Sequence, residues 1–202
     1  MNWIILSSDP KLLRSHLESG EQYLRNEIPS VLSLFDYQDG YKEHVRLSRL
    51  FAAEWHFAAE PDNDWPWRDA LLDLTSRTRP NGTQEKMTLL TTDSTTFCRK
   101  VLSYDAWAIL KDPNILSVSL AVPPVEPLRE AFYHGGKVQA RVWERADGLP
   151  TVVNTIWRTT DLTGSLCRTE WSDLPSMVAA VTSDTGLDRR TRMACFCEST
   201  IS

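Results

Sequence analysis

The sequence predicts an α+β fold, an N-terminal helical bundle followed by a small antiparallel β-sheet with flanking helices. Three observations predict it. Apolar residues in the first 80 positions recur at intervals of three and four, whereas positions 81 to 202 are richer in threonine and valine, in short runs bounded by turn residues. The stretch "KVQARVWERADGLPTVVNTIWR", residues 137 to 158, reads as two strands joined at Asp147-Gly148, a type I′ turn pair. A chain of 202 residues buries a substantial core as one large or two small domains, and "TRPNGT" marks the division into a helical domain, 1–80, and an α+β domain, 81–202.

Taken in order, Asp9 and Pro10 supply an N-cap and a first-turn proline for "KLLRSHLES", with Gly20 placed to end that helix. A second helix, "EQYLRNEIPSVLSLF", is interrupted by Pro29, which removes an amide donor. The third, "YKEHVRLSRLFAAEWHFAAE", carries Leu47, Leu50, Phe51, Trp55 and Ala58 as one apolar stripe, and "WPWRDALLDLTSR" begins a fourth with Pro66 in its first turn. Beyond residue 80, "EKMTLLTT" is a strand or short helix, "FCRKVLSYDAWAILKD" is mainly helical, and "ILSVSLAV" is a strand closed by Pro123-Pro124. After the hairpin come a short strand, "LCRTEW", and a helix, "LPSMVAAVT".

Counting outward from the Asp147-Gly148 turn pairs Val142 with Val153 and Val138 with Trp157. One face then holds Val138, Ala140, Val142, Val153, Thr155 and Trp157, and the other mixes Arg141, Trp143 and Arg145 with Val152, Asn154 and Ile156. Pro150 has no amide to offer a neighbouring strand, so the outer side of the second strand is open near the turn and its remaining donors need another strand, water or a partner. An added peptide strand would be read by that mixed face, and burial under the following helix is the alternative.

Charge and motifs narrow the function classes. A net charge of −5 and a pI near 5.4 give no basic field for nucleic acid. The opening "MNWIILSSDPKLL" lacks a basic start and no apolar run approaches the roughly 18 residues of a membrane span, so a soluble, cytoplasmic protein is expected. Four scattered cysteines make no disulfide framework, and "CFC" has a spacing narrower than usual for zinc and no histidine within 60 residues in sequence, so no metal site is expected in this chain. There is no Gly-rich phosphate loop, G-x-S-x-G or H-E-x-x-H, so no catalytic residue is assigned. Glu54 is the charged residue inside the apolar stripe of the third helix, and it either pairs with an arginine of a neighbouring helix or faces a partner. Eight tryptophans, several clustered in "EWHF" and "DWPWRD", add Trp55, Trp65 and Trp67 to Glu54 as a candidate partner interface.

The order of a helical first half around "RLSRLFAAEWHF" and a sheet centred on the 137–158 hairpin resembles the partner subunit of methanobactin-maturing complexes, companion of a DUF692-type oxidase. The resemblance implies a non-catalytic subunit of a heterodimer that binds the leader of a ribosomally made precursor peptide by strand addition. It would present the core cysteines to the oxidase for oxazolone and thioamide formation, yielding a copper chelator. The iron would belong to the partner oxidase and no cofactor to this chain. The leader-binding residues would be Arg141, Trp143, Arg145, Val152, Asn154 and Ile156. The "ADGLP" hairpin also resembles small-carboxylate-binding domains of the chorismate-lyase-like and UTRA groups, with Arg141, Arg158 or Arg168 as the carboxylate clamp. An adaptor or immunity protein without a small ligand is a third reading.

Overall fold

In the computed structural model, the described residues are 1–24, 27–33, 37–57, 67–77, 85–144, 152–187, 190–196 and 201. Nine strands form one mixed sheet that takes strands from both sides of residue 80. In chain order the elements are β1 (Asn2–Ser7), α1 (Pro10–Tyr23), β2 (Pro29–Ser33), α2 (Tyr37–Leu50), β3 (Glu54–Phe57), α3 (Trp67–Ser76) and β4 (Met87–Thr92), then α4 (Ser103–Leu110), β5 (Ile115–Ser119), β6 (Arg129–Tyr133), β7 (Val138–Glu144), β8 (Thr155–Arg158), α5 (Thr159–Arg168), α6 (Leu174–Thr182) and β9 (Arg192–Phe196). The spatial order is β3-β2-β1-β4-β8-β5-β9-β7-β6.

This replaces the helical bundle with a small sheet by a Rossmann-like α/β architecture, and the reason is burial on both faces. Along β1, Trp3 and Ile5 enter a cluster with Leu13, Leu17, Leu47 and Ile109 of α1, α2 and α4. Ile4 and Leu6, pointing the other way, pack with Leu71, Leu74, Leu162, Leu166 and Met177 of α3, α5 and α6. A strand covered on both sides needs apolar residues at every position, so "WIIL" and "SVLS" carry no alternation to betray them. Pro29, read as a helix break, is instead the first residue of β2, where a strand tolerates its missing donor. The third helix likewise stops at Leu50, and the Glu54–Phe57 segment assigned to its stripe is β3.

The 137–158 hairpin does not form. Its first strand is β7, paired with β6 and β9, and its second is β8, paired with β4 and β5, so two strands separate them in the sheet. The Asp147-Gly148 turn lies outside the described residues. The tight hairpin is β6–β7, turning through His134, Gly135 and Gly136, all with positive φ. "LCRTEW" is largely the end of α5 rather than a strand.

Gly20 also has a different role. α1 continues past it to Tyr23, and the glycine is buried where a Cβ would overlap the Trp3 ring. No helix among the described residues is long and apolar enough to cross a membrane. Gly20→Ala should therefore destabilise the protein by about 1–3 kcal/mol in urea unfolding, although alanine is intrinsically favoured over glycine in helices by about 1 kcal/mol. An unchanged or raised stability would mean that Trp3 and α1 are not in this close contact.

Candidate functional site at the carboxyl edge of the parallel strands

β1, β2, β3 and β4 run parallel, so their carboxyl ends share one edge of the sheet. From β1 the chain moves through α1 to β2 on one flank, while β4 lies on the other flank, reached from β3 through α3 on the opposite face. Along the sheet the chain leaves β1 toward β2 and leaves β4 toward β5, so the strand order reverses between β1 and β4, the place where open α/β sheets form a ligand crevice. The residues that end these strands are Ser7, Ser8 and Asp9 after β1 and Thr92, Asp93, Ser94 and Thr95 after β4.

Asp93 fixes this junction. Its Oδ2 accepts from Ser7 Oγ at 2.8 Å, from the Ser8 amide at 2.7 Å and from the Asp9 amide at 2.8 Å, while its own amide donates to the Leu6 carbonyl at 3.3 Å. The carboxylate is buried, and charge-assisted bonds of this kind are stronger than neutral ones. Asp9 in turn caps α1 by accepting from the Lys11 amide at 2.8 Å. Ser8 and Ser94 are exposed at the rim, and Ser94 Oγ lies 3.0 Å from Thr92 Oγ1.

Beneath the rim runs a buried polar relay. His16 Nδ1 lies 2.6 Å from the Thr95 carbonyl, which can only accept, so that nitrogen carries the proton. His16 Nε2 then accepts from Thr91 Oγ1 at 2.9 Å, and Thr91 Oγ1 accepts from Trp3 Nε1 at 3.1 Å. Burial holds the imidazole below its ordinary value of 6.5, partly offset by the Thr95 carbonyl and by Asp93, so the ring is neutral near pH 7. On the far side Asn154, in a left-handed conformation with φ 55°, accepts at Oδ1 from the Thr92 amide and Thr95 Oγ1, each at 3.3 Å. Its carbonyl accepts from the Leu120 amide at 3.0 Å, which ties β5 to the same junction.

The residues singled out from sequence fall elsewhere, Asn154 excepted. Arg141 and Trp143 are on β7, and Trp143 is buried with its indole donating to the Val125 carbonyl at 3.1 Å. Val152 and Ile156 are buried on opposite faces of the sheet, and Arg145 and Trp65 lie outside the described residues. The five leader-binding candidates among the described residues are therefore not gathered on one surface. Glu54 and Trp55 sit on the edge strand β3, where Glu54 accepts from Arg77, just beyond α3, at 2.8 Å. Trp67 packs on Trp171 with ring centroids 4.8 Å apart and donates to the Ser172 carbonyl at 2.8 Å.

Of the proposed carboxylate clamps, Arg158 donates to the carbonyls of Leu110, Asp112 and Ile115, and Arg168 pairs with Asp184 at 2.7 Å. Asp93, Ser8 and His16 were missed. The signal available was an aspartate directly after the run "MTLLTT", beside a chain opening on another apolar run. Among the described residues no three histidine, cysteine or acidic side chains come together as metal ligands.

Three solved structures share this architecture. Staphylococcus aureus TarS aligns over 100% of this chain and 36% of its own, with a TM-score of 0.60 at 10% identity. Its 1–349 fragment gives the same TM-score and identity over 59% of that chain. The same fragment in complex with UDP aligns at 12% identity, again with a TM-score of 0.60. The likeness is one of fold. This chain spans between about a third and three fifths of those neighbours' length. No protein-family profile and no curated protein sequence matches it.

These neighbours overturn the resemblance to a methanobactin partner subunit, together with the peptide-delivering function drawn from it. They give no support to the small-carboxylate or adaptor alternatives. The earlier likeness rested on a helical first half and a hairpin, and neither exists in the fold.

The His16 relay carries a pH signature. A depressed folded value means the unfolded chain takes up the proton first, so stability is full above pH 6.5 and falls as pH drops below it, by up to about 1.4 kcal/mol per pH unit. His16→Gln should remove that part of the pH dependence in urea unfolding between pH 7.5 and 5.5. Equal slopes for both proteins would contradict a buried, neutral His16.

Proposed function

We propose that this chain is the nucleotide-binding α/β unit of a glycosyltransferase-type protein, taking a nucleoside-diphosphate sugar at the carboxyl edge between β1 and β4. The observation that carries the reading is the switch point itself, where the connections from β1 and β4 diverge around the Asp93 junction. The fold shared with TarS, solved with UDP, supports the class of ligand. The rim chemistry is compatible with it. The Asp9 carboxylate and the exposed Ser8 and Ser94 hydroxyls offer acceptors and donors to ribose hydroxyls and a base amide. Asp93, already accepting three bonds at one oxygen, holds the two strand ends in register rather than reaching for the ligand with that atom.

In the transfer such a donor supports, the bond between the anomeric carbon and the diphosphate oxygen breaks, an acceptor hydroxyl forms the new bond to that carbon, and its proton is released. Calorimetric titration should show one nucleoside diphosphate, with UDP the first choice, binding at 1:1 stoichiometry. Ser94→Glu, which sets a carboxylate on the exposed rim, should weaken that binding at least tenfold by charge repulsion while leaving the melting midpoint of the free protein unchanged. Failure of UDP, GDP, ADP and CDP alike to bind at millimolar concentration would contradict the reading, as would a Ser94→Glu variant that binds as the parent does.

A further inference from the structure

The nine-stranded sheet ends on β6, and among the described residues no strand pairs with its outer side. The protection of β6 as an edge is limited to its shortness and to the exposed charges of Arg129 and Glu130. Its neighbourhood exposes Phe132 at 63%, Leu128 at 54% and Val125 at 44% of their surface, and it carries no proline within Arg129–Tyr133. Glu130 and Phe132 share one face, opposite Arg141 and Gln139 of β7, and Val125 is held beside that face by the bond from the Trp143 indole to its carbonyl. An apolar patch therefore runs alongside an open row of backbone donors and acceptors.

We propose that this edge pairs antiparallel with β6 of a second copy of the chain, giving a two-fold dimer with one sheet continuous through both copies. The occupant follows from what each register would bring together. In an antiparallel pair both opposed residues turn their backbone groups the same way, so a strand meeting its own copy admits only registers centred on a residue, never between two. Centring on Glu130 sets two like carboxylates opposite each other, which is unfavourable.

Centring on Ala131 removes that conflict. It sets the small Ala131 against its copy on the axis, Arg129 against the ring of Tyr133, and Glu130 against Phe132, with the two Phe132 rings in diagonal reach. The carboxylate of Glu130 does not enter the interface unpaired, because it accepts from Gln139 at 2.9 Å and lies 3.9 Å from Arg141 of its own chain. Ala131 is the middle residue of Arg129–Tyr133, so this register pairs all five residues of the strand and opposes no like charges.

Sedimentation equilibrium of the full chain from 5 to 200 µM should show a monomer–dimer equilibrium, and Phe132→Lys should raise its dissociation constant at least tenfold. In a background with Cys98, Cys167 and Cys197 changed to serine, Ala131→Cys should form an intermolecular disulfide under mild oxidation, and Leu128→Cys should not. Circular dichroism of each variant checks that it is folded. A chain that stays monomeric at 200 µM overturns the proposal, as does a dimer indifferent to Phe132→Lys or one that crosslinks equally through Leu128→Cys.

Discussion

The arrangement depends on one carboxylate. Asp93 accepts the Ser7 hydroxyl and the amides of Ser8 and Asp9, and so locks the end of β4 to the end of β1 just where the two connections part. Without that lock the Ser8 and Asp9 amides at the entrance to α1 would lose their partner in a partly buried setting. With it, Asp9 is placed to cap α1, and Ser8 and Ser94 are left on the rim. Stability and the shape of the crevice are here the same interaction.

The lock is supported from below and from one side. Trp3, Thr91, His16 and the Thr95 carbonyl form a relay whose donor and acceptor roles agree throughout, which requires a neutral histidine. Asn154 adopts the left-handed conformation that asparagine accepts at low cost, and its side chain holds the same loop to the start of β8. The sheet around them is covered on both faces, so the junction rests on a rigid floor.

Some of this was legible in the sequence. Asp9-Pro10 begins a helix as its capping chemistry requires, and α3, β5 and α6 lie within the segments read as "WPWRDALLDLTSR", "ILSVSLAV" and "LPSMVAAVT". The strands of the first half were not legible, because a doubly covered parallel strand has no period of two to distinguish it from a helix fragment. In "RLSRLFAAEWHF", residues of α2 and β3 happen to fall at helical spacing across a real break at Leu50. The Asp-Gly pair is a local signal, and it misled because β7 and β8 each find their neighbours far away in sequence. The site was hidden for the same reason. Asp93 and Ser7 are 86 residues apart, and Asn154 drew notice on other grounds.

The central claim is that the β1–β4 junction is where a nucleotide sits. Amide chemical-shift mapping during titration of the full chain with UDP tests it most directly. The account predicts that the largest changes fall on Ser8, Asp9, Ser94, Thr95 and Asn154, with the far edge at β6 unmoved. Binding that instead perturbs residues away from the carboxyl edge, leaving those five in place, would contradict it.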